Sequence, residues 1–125
     1  MSSSAPFRSL KVWCDSMDLV EDIYSLTRTF PIDERFGLSS QLRRAAVSIP
    51  SNIGEGSRRK RQKVKAYFWE IALGSQGELD VQLEIALRLG LCSTEDYSRI
   101  RLRVDQVGRM LNGLIASVKR GASND

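Results

Sequence analysis

The tightest constraint on this sequence is a row of seven apolar residues near its C-terminus. Tyr97, Ile100, Val104, Val107, Leu111, Leu114 and Val118 recur at alternating steps of three and four. On a helix this spacing draws one apolar stripe, and a stripe held over three heptads needs near-parallel helices to cover it. The row predicts a helix that opens near Ser93, with Asp96 three residues on as an imperfect capping box.

Three more segments carry the helical period. The first runs roughly from Leu10 to Thr29. Leu10, Trp13, Met17, Val20 and Tyr24 make one stripe, and Val12, Leu19, Ile23, Leu26 and Phe30 widen it, so this helix is expected to be buried over much of its circumference. Ser9 is placed to be its N-cap. Pro31 ends it, because the residue before a proline avoids helical angles. After a connection over residues 32–37, the second helix runs roughly from Leu38 to Gly54, with Leu42, Ala45, Ala46, Ile49 and Ile53 on one face. Pro50 lies inside it, removes one backbone hydrogen bond and collides with the carbonyl of Ala46, so a kink or a break is expected. Gly54 and Gly56 are expected to loosen the chain beyond it. The third helix runs roughly from Gln62 to Leu89, with Val64, Phe68, Ala72, Leu79, Leu83 and Ala86 as its stripe, interrupted by Ser75. Gly90 suits a left-handed C-cap, with Leu91 folding back onto the last turn.

Four stripes joined by short connections predict an all-α fold, an antiparallel up-down-up-down four-helix bundle with its second helix kinked at Pro50. The sequence reads as one domain over residues 1–125, with a core over about 7–118 and a frayed tail from Gly121. Apolar residues make up 42% of the chain, enough for a packed core. No segment alternates with period two, so no strand is expected. No run approaches the roughly 18–20 apolar residues of a membrane span. Met1–Pro6 is polar and lacks the layout of a secretory signal, so a soluble, cytoplasmic protein with no membrane partner is expected. Two cysteines, Cys14 and Cys92, are too few for a disulfide framework and are expected to be unbridged, small buried hydrophobes.

Enzymatic chemistry has little to work with. The sequence has no histidine, which removes the commonest general base, the nucleophile–histidine pairs and the Glu-x-x-His motif of di-metal bundles. The cysteines have no Cys-x-x-Cys spacing for zinc, and no phosphate-binding loop motif occurs. Nothing in the spacing of Glu55, Glu70, Glu78 and Glu84 suggests a pair set apart as acid and base. No catalysis, metal or cofactor is expected.

Three features remain. Arg58, Arg59, Lys60, Arg61, Lys63 and Lys65 put six cations into eight residues with no acid among them; removing those six from the net +4 leaves −2 elsewhere. Such a run can be a solvated helix start. At the head of the third helix, however, its cations would face the positive end of the dipole, at about 0.3–1 kcal/mol each. Phosphates of nucleic acid or an acidic protein surface are the counter-charges that would justify it. Arg44, Ser48, Asn52 and Glu55 recur at helical spacing on the second helix, and Gly74, Ser75, Gly77 and Glu78 form a small, polar patch on the third. These read either as a solvent face or as a polar network of Ser48, Asn52, Glu55, Ser75 and Glu78 between helices or subunits, with something approaching the two glycines. Finally, Tyr67, Phe68 and Trp69 spread over about 200° of a helix, so they cannot all face one core. Packing in a core or interface is their common use; base stacking beside the basic run is the other.

Gln41–Ile53, read as QLRRAAVSIPSNI, followed by Glu55-Gly56, resembles the hallmark of the four-helix proteins encoded by 23S rRNA intervening sequences. Leu10-Lys11-Val12-Trp13 with Phe30-Pro31, and Tyr67–Ser75 with Glu78-Leu79, resemble that family's first and third helices in the right order. Gly54 departs from the family, which often has alanine there. The resemblance implies a second helix continuing through Pro50 and a homopentameric ring. It also implies kinship with accessory proteins of diversity-generating retroelements, which bind nucleic acid and a reverse transcriptase. The expected function is therefore a non-enzymatic homo-oligomer binding RNA or DNA through the basic run, aided by Arg43 and Arg44, with a nucleic-acid-processing protein as a further partner. The competing expectation is an adaptor that binds another protein and no nucleic acid.

Overall fold

The computed structural model describes residues 6–121. The polar N-terminal residues before Pro6 and the tail beyond Gly121 lie outside the described residues. Within them the chain forms four helices, α1 (Lys11–Thr27), α2 (Leu38–Ser57), α3 (Gln62–Arg88) and α4 (Thr94–Arg120), with short 3-10 turns at Pro6–Ser9 and Ile32–Glu34 and no strand.

The seam on α4 is buried as its spacing requires: Ile100, Val104, Val107 and Leu111 are inaccessible to solvent, with Tyr97, Leu114 and Val118 half-buried. On α1 the two apolar stripes divide. Val12, Leu19, Ile23, Leu26 and Phe30 enter the core together with Ser16, whereas Leu10, Trp13, Val20 and Tyr24 are half-buried and Met17 is exposed. On α3 the core takes Ala66 and Trp69 where Val64 and Phe68 were expected.

Helix ends follow local chemistry. Gly90 takes φ +72°, its N–H donates to Leu87 O (3.0 Å), and the Leu91 N–H donates to Ala86 O (2.9 Å). This Schellman closure brings Leu91 against the core. Ser93 Oγ accepts the Asp96 N–H at 3.0 Å and caps α4. Ser9 does not cap α1: it belongs to the preceding turn, and Leu10 occupies the cap position without a side-chain bond. α2 passes unbroken through the buried Pro50 and continues to Ser57, so Gly54 and Gly56 are helical residues rather than a loosened exit.

Each helix packs against two others, with α2 on α3 the most extensive contact. Named pairs run in opposite senses along neighbours. Ile53 meets Trp69 and Ser48 meets Ser75 between α2 and α3. Tyr97 meets Glu84, Arg101 meets Asp80, and Gln76 meets Val104 between α3 and α4. Between α1 and α4, Asp22 pairs with Arg99 and Arg103, and Asp18 with Arg103. The Tyr97 hydroxyl, donating to Glu84 at 2.7 Å, holds that carboxyl below its ordinary range, with Arg88 assisting. No helix among the described residues is long and apolar enough to cross a membrane.

Two adjacent glycines on α2 have opposite reasons for being small. A Cβ on Gly56 would lie 2.7 Å from the Trp69 ring and 3.0 Å from Lys65 O, and neither the buried indole nor the backbone can yield freely. A Cβ on Gly54 would sit 3.6 Å from Phe7, an ordinary contact. Gly56→Ala should therefore lower stability by about 1–3 kcal/mol through overpacking, while Gly54→Ala should raise it by about 0.5–1 kcal/mol through helix propensity. Urea unfolding of the two variants checks both signs.

Candidate nucleic-acid interface

α2 ends and α3 begins within four residues, and that short connection holds most of the basic run. Arg58, Arg59, Lys60 and Arg61 lie in it, exposed; Lys63 is exposed and Lys65 half-buried in the first turn of α3. Arg61 occupies the N-cap position of α3 with no side-chain cap, and the first turn holds no acid. The run thus faces the unfavourable end of the dipole, as its sequence position suggested.

The six cations are not equivalent. Arg59 pairs with Glu55 one turn back on α2 and sits over the Phe68 ring, 5.1 Å from its centroid. Lys65 donates to Ser57 O at 3.4 Å and lies over the ring of Trp69. Among the described residues no carboxylate pairs with Arg58, Lys60, Arg61 or Lys63. Three arginines in the first half of α4 behave differently: Arg99, Arg101 and Arg103 are each paired with aspartates.

Arg43 and Arg44 stand apart from this cluster. Fourteen or so residues of α2 separate them from Arg58, roughly 20 Å at the helical rise. Arg43 is turned inward: its Nε donates to the buried Thr27 Oγ1 at 2.7 Å, and its guanidinium lies 4.4 Å from the Tyr24 ring centroid. Arg44 is exposed beside a polar pocket of about 300 Å³ formed by Gln41, Ser48, Ser75, Glu78 and Gln82.

That pocket contains part of the anticipated polar network. The Ser75 hydroxyl donates to Ser48 Oγ at 2.7 Å across the α2–α3 seam, and Asn52 Nδ2 donates to Ser48 O and Oγ at 2.9 and 3.1 Å. Glu55 is drawn away to Arg59, and Glu78 is exposed without a hydrogen bond to the other four. At Gly74 and Gly77, where an approaching group was expected, a Cβ would meet no other part of the described chain within 4 Å. Of the aromatic triplet, Trp69 is buried and donates its indole N–H to Ile53 O at 3.0 Å, Phe68 is half-buried, and Tyr67 is 60% exposed.

The cysteines are both free. Cys14 is exposed, contrary to its expected burial, because it falls outside both stripes of α1, on the polar face with Lys11, Asp18 and Glu21, where its thiol donates to Arg8 O. Cys92 is half-buried against the core, and burial together with Asp96 pushes its thiol up. No group of three or more Cys, Asp and Glu side chains among the described residues is placed to hold a metal ion.

One site escaped the sequence reading. Between α1 and α2 an open groove of about 520 Å³ is walled by Phe7, Trp13, Met17, Val20 and Pro50, with Arg8 and Arg58 also lining it. Its only signal in the sequence was the doubled stripe of α1, which is wider than a single bundle core can cover.

The profile of the 23S rRNA-intervening sequence protein family matches residues 8–113. The chain belongs to this family. The fold is also similar to the crystal structure of a protein of unknown function of the S23 ribosomal protein family from Bacteroides thetaiotaomicron, solved at 1.70 Å: 24% identity over 83% of this chain and 97% of that one, with a TM-score of 0.78. That likeness is one of fold. No curated protein sequence matches.

Arg43 and Arg44 can be separated by stability alone. Arg43→Ala should destabilise the fold by about 1–2 kcal/mol, from one charge-assisted hydrogen bond and a ring contact. Arg44→Ala and Lys60→Ala, both exposed, should stay within about 0.5 kcal/mol of the parent in urea unfolding.

Proposed function

We propose that this protein is a non-catalytic homo-oligomer that binds nucleic acid through the α2–α3 connection. The observation that carries the reading is the set of four exposed cations, Arg58, Lys60, Arg61 and Lys63, that no carboxylate of the described chain neutralises. A fold that pairs Arg99, Arg101 and Arg103 of α4 with aspartates leaves these open to phosphates. Arg59 joins them once a phosphate competes with Glu55, and Lys65 contributes charge from behind. Arg44 forms a separate, second patch; Arg43 supports the fold and drops out of the binding set.

The oligomer rests on the outer face of α3. Tyr67, Ile71, Val81, Ile85 and Leu89 recur there at helical spacing and are exposed, Val81 and Leu89 by 60% and 62%. Gly74 and Gly77 lie between them with open space above, which lets a neighbouring backbone come close. A second copy covering this row is consistent with the ring of five that the family resemblance implies. Five copies of a weak cationic site would raise affinity by avidity. The competing adaptor reading draws on the same α3 face with another protein as its partner.

Nucleic-acid binding by the wild type should be salt-sensitive, with log affinity falling against log salt at about −0.9 per duplex phosphate contact. Replacing Arg58, Lys60, Arg61 and Lys63 by alanine should weaken it about tenfold or more at low salt, measured by fluorescence anisotropy. Equal affinity of the two proteins would discard the nucleic-acid reading.

Light scattering after size exclusion should give a mass several times that of one chain, and Val81→Arg with Ile85→Arg should reduce it. A wild type running as a monomer would discard the oligomer.

A further inference from the structure

The basic run does not end in open solvent. Arg58 belongs at once to the α2–α3 connection and to the lining of the groove between α1 and α2. Proceeding from Lys60 through Arg58, the surface changes from charged to apolar and aromatic without a break in the chain.

The groove is built from the half of α1 that the core leaves uncovered. Trp13, Met17 and Val20 form one wall and Pro50 part of the other. Phe7 meets Trp13 edge-on, with ring centroids 5.3 Å apart and planes at 69°, so the two rings make a corner instead of a stack. Gly54 leaves that corner open on the α2 side. The charges at the site have one sign available: Arg8 lies over the Phe7 ring with no carboxylate partner among the described residues, Arg58 likewise has none, and the one acid of the groove, Glu55, is already held by Arg59.

Aromatic walls beside unpaired arginines fit an occupant that is flat and apolar in its body and anionic at its edge. A neutral apolar helix would bury two guanidiniums without partners, at a cost of several kcal/mol per ion. A duplex would satisfy the arginines and leave the apolar walls wet, because its bases are stacked inside. An unpaired nucleobase does both: its face packs on an aromatic ring, and its phosphate meets the arginine.

Resting on the nucleic-acid reading above, we propose that the α1–α2 groove takes unpaired bases of a single strand whose phosphates track Arg58, Lys60, Arg61 and Lys63. The protein is then selective for single-stranded over double-stranded polynucleotide. Trp13 and Met17 supply that selectivity, and the run supplies the sequence-independent part.

Three labelled probes of equal phosphate number test this on the full chain: a short oligothymidylate, the same backbone without bases, and a duplex. Anisotropy should show the oligothymidylate binding about tenfold tighter than the abasic strand, the scale of one stacked base. It should also quench tryptophan emission; the chain has two tryptophans, and Trp69 is buried in the α2–α3 seam and does not line the groove. Trp13→Phe should remove most of the quenching. Met17→Ala, uncharged and at an exposed position outside the core, should sharply reduce the preference for bases while the abasic strand loses little. Equal binding of oligothymidylate and abasic strand, or an unchanged preference in Met17→Ala, would overturn the groove while leaving the basic run in place. Displacement of the oligothymidylate by an acidic peptide bearing an aromatic residue, at equal strength, would assign the groove to a protein and overturn the proposal too. Failure of all three probes to bind would remove the nucleic-acid reading itself.

Discussion

The Trp69 indole fastens the seam on which the bundle depends. It crosses from α3 to α2, gives its N–H to Ile53 O, and occupies the space that only a glycine at position 56 leaves free. About four turns of α2 toward its start, Arg43 makes a similar tie to α1 through Thr27, and between them Ser75 joins Ser48. A buried donor left unpaired costs about 1–3 kcal/mol, so each of these bonds fixes where two helices may slide relative to each other. The consequence for the basic connection is direct. With Trp69 locked above Gly56, and Lys65 reaching back to Ser57 O, the chain between α2 and α3 is held at both ends.

Charge is distributed with a clear asymmetry around this scaffold. α4 begins with Glu95 and Asp96 and ends with Lys119 and Arg120, so both ends agree with the helix dipole, and Arg99, Arg101 and Arg103 in its first half are matched to aspartates on α1 and α3. α3 begins with cations against its dipole and has no side-chain cap. One sequence therefore contains both solutions, and the unfavourable one coincides with the cluster that lacks carboxylates.

Much of the fold was legible because its signals are local. The α4 seam, the Gly90 turn and the Ser93 cap each depend on residues a few positions apart, and each formed where the spacing put it. The second helix was read too short because Gly54 and Gly56 carry a propensity penalty of about 1 kcal/mol each, which packing against Trp69 and Phe7 overrides. The division of the two α1 stripes could not be read, since both are apolar and only the position of α2 and α4 decides which is covered. The same holds for Trp69 over Phe68, one residue and 100° apart. At the candidate site, the exposed cations were legible as composition. That Arg43 is a structural tie and that Arg58 borders an aromatic groove depend on partners far away in sequence, whereas the Glu55–Arg59 pair is a local i,i+4 contact that follows only once α2 is known to run past Gly54.

The short connection between α2 and α3 has an effect on the folded state as a whole. Arg58, Lys60, Arg61 and Lys63 are crowded onto a bracket that cannot spread them apart, so the native chain carries a self-repulsion that the expanded chain would relax. Dissolved counter-ions shield that repulsion, whereas they weaken the aspartate–arginine straps along the α1–α4 seam. Ionic strength thus pulls the two halves of this bundle in opposite directions, firming the end that bears the bracket and loosening the end that bears the straps.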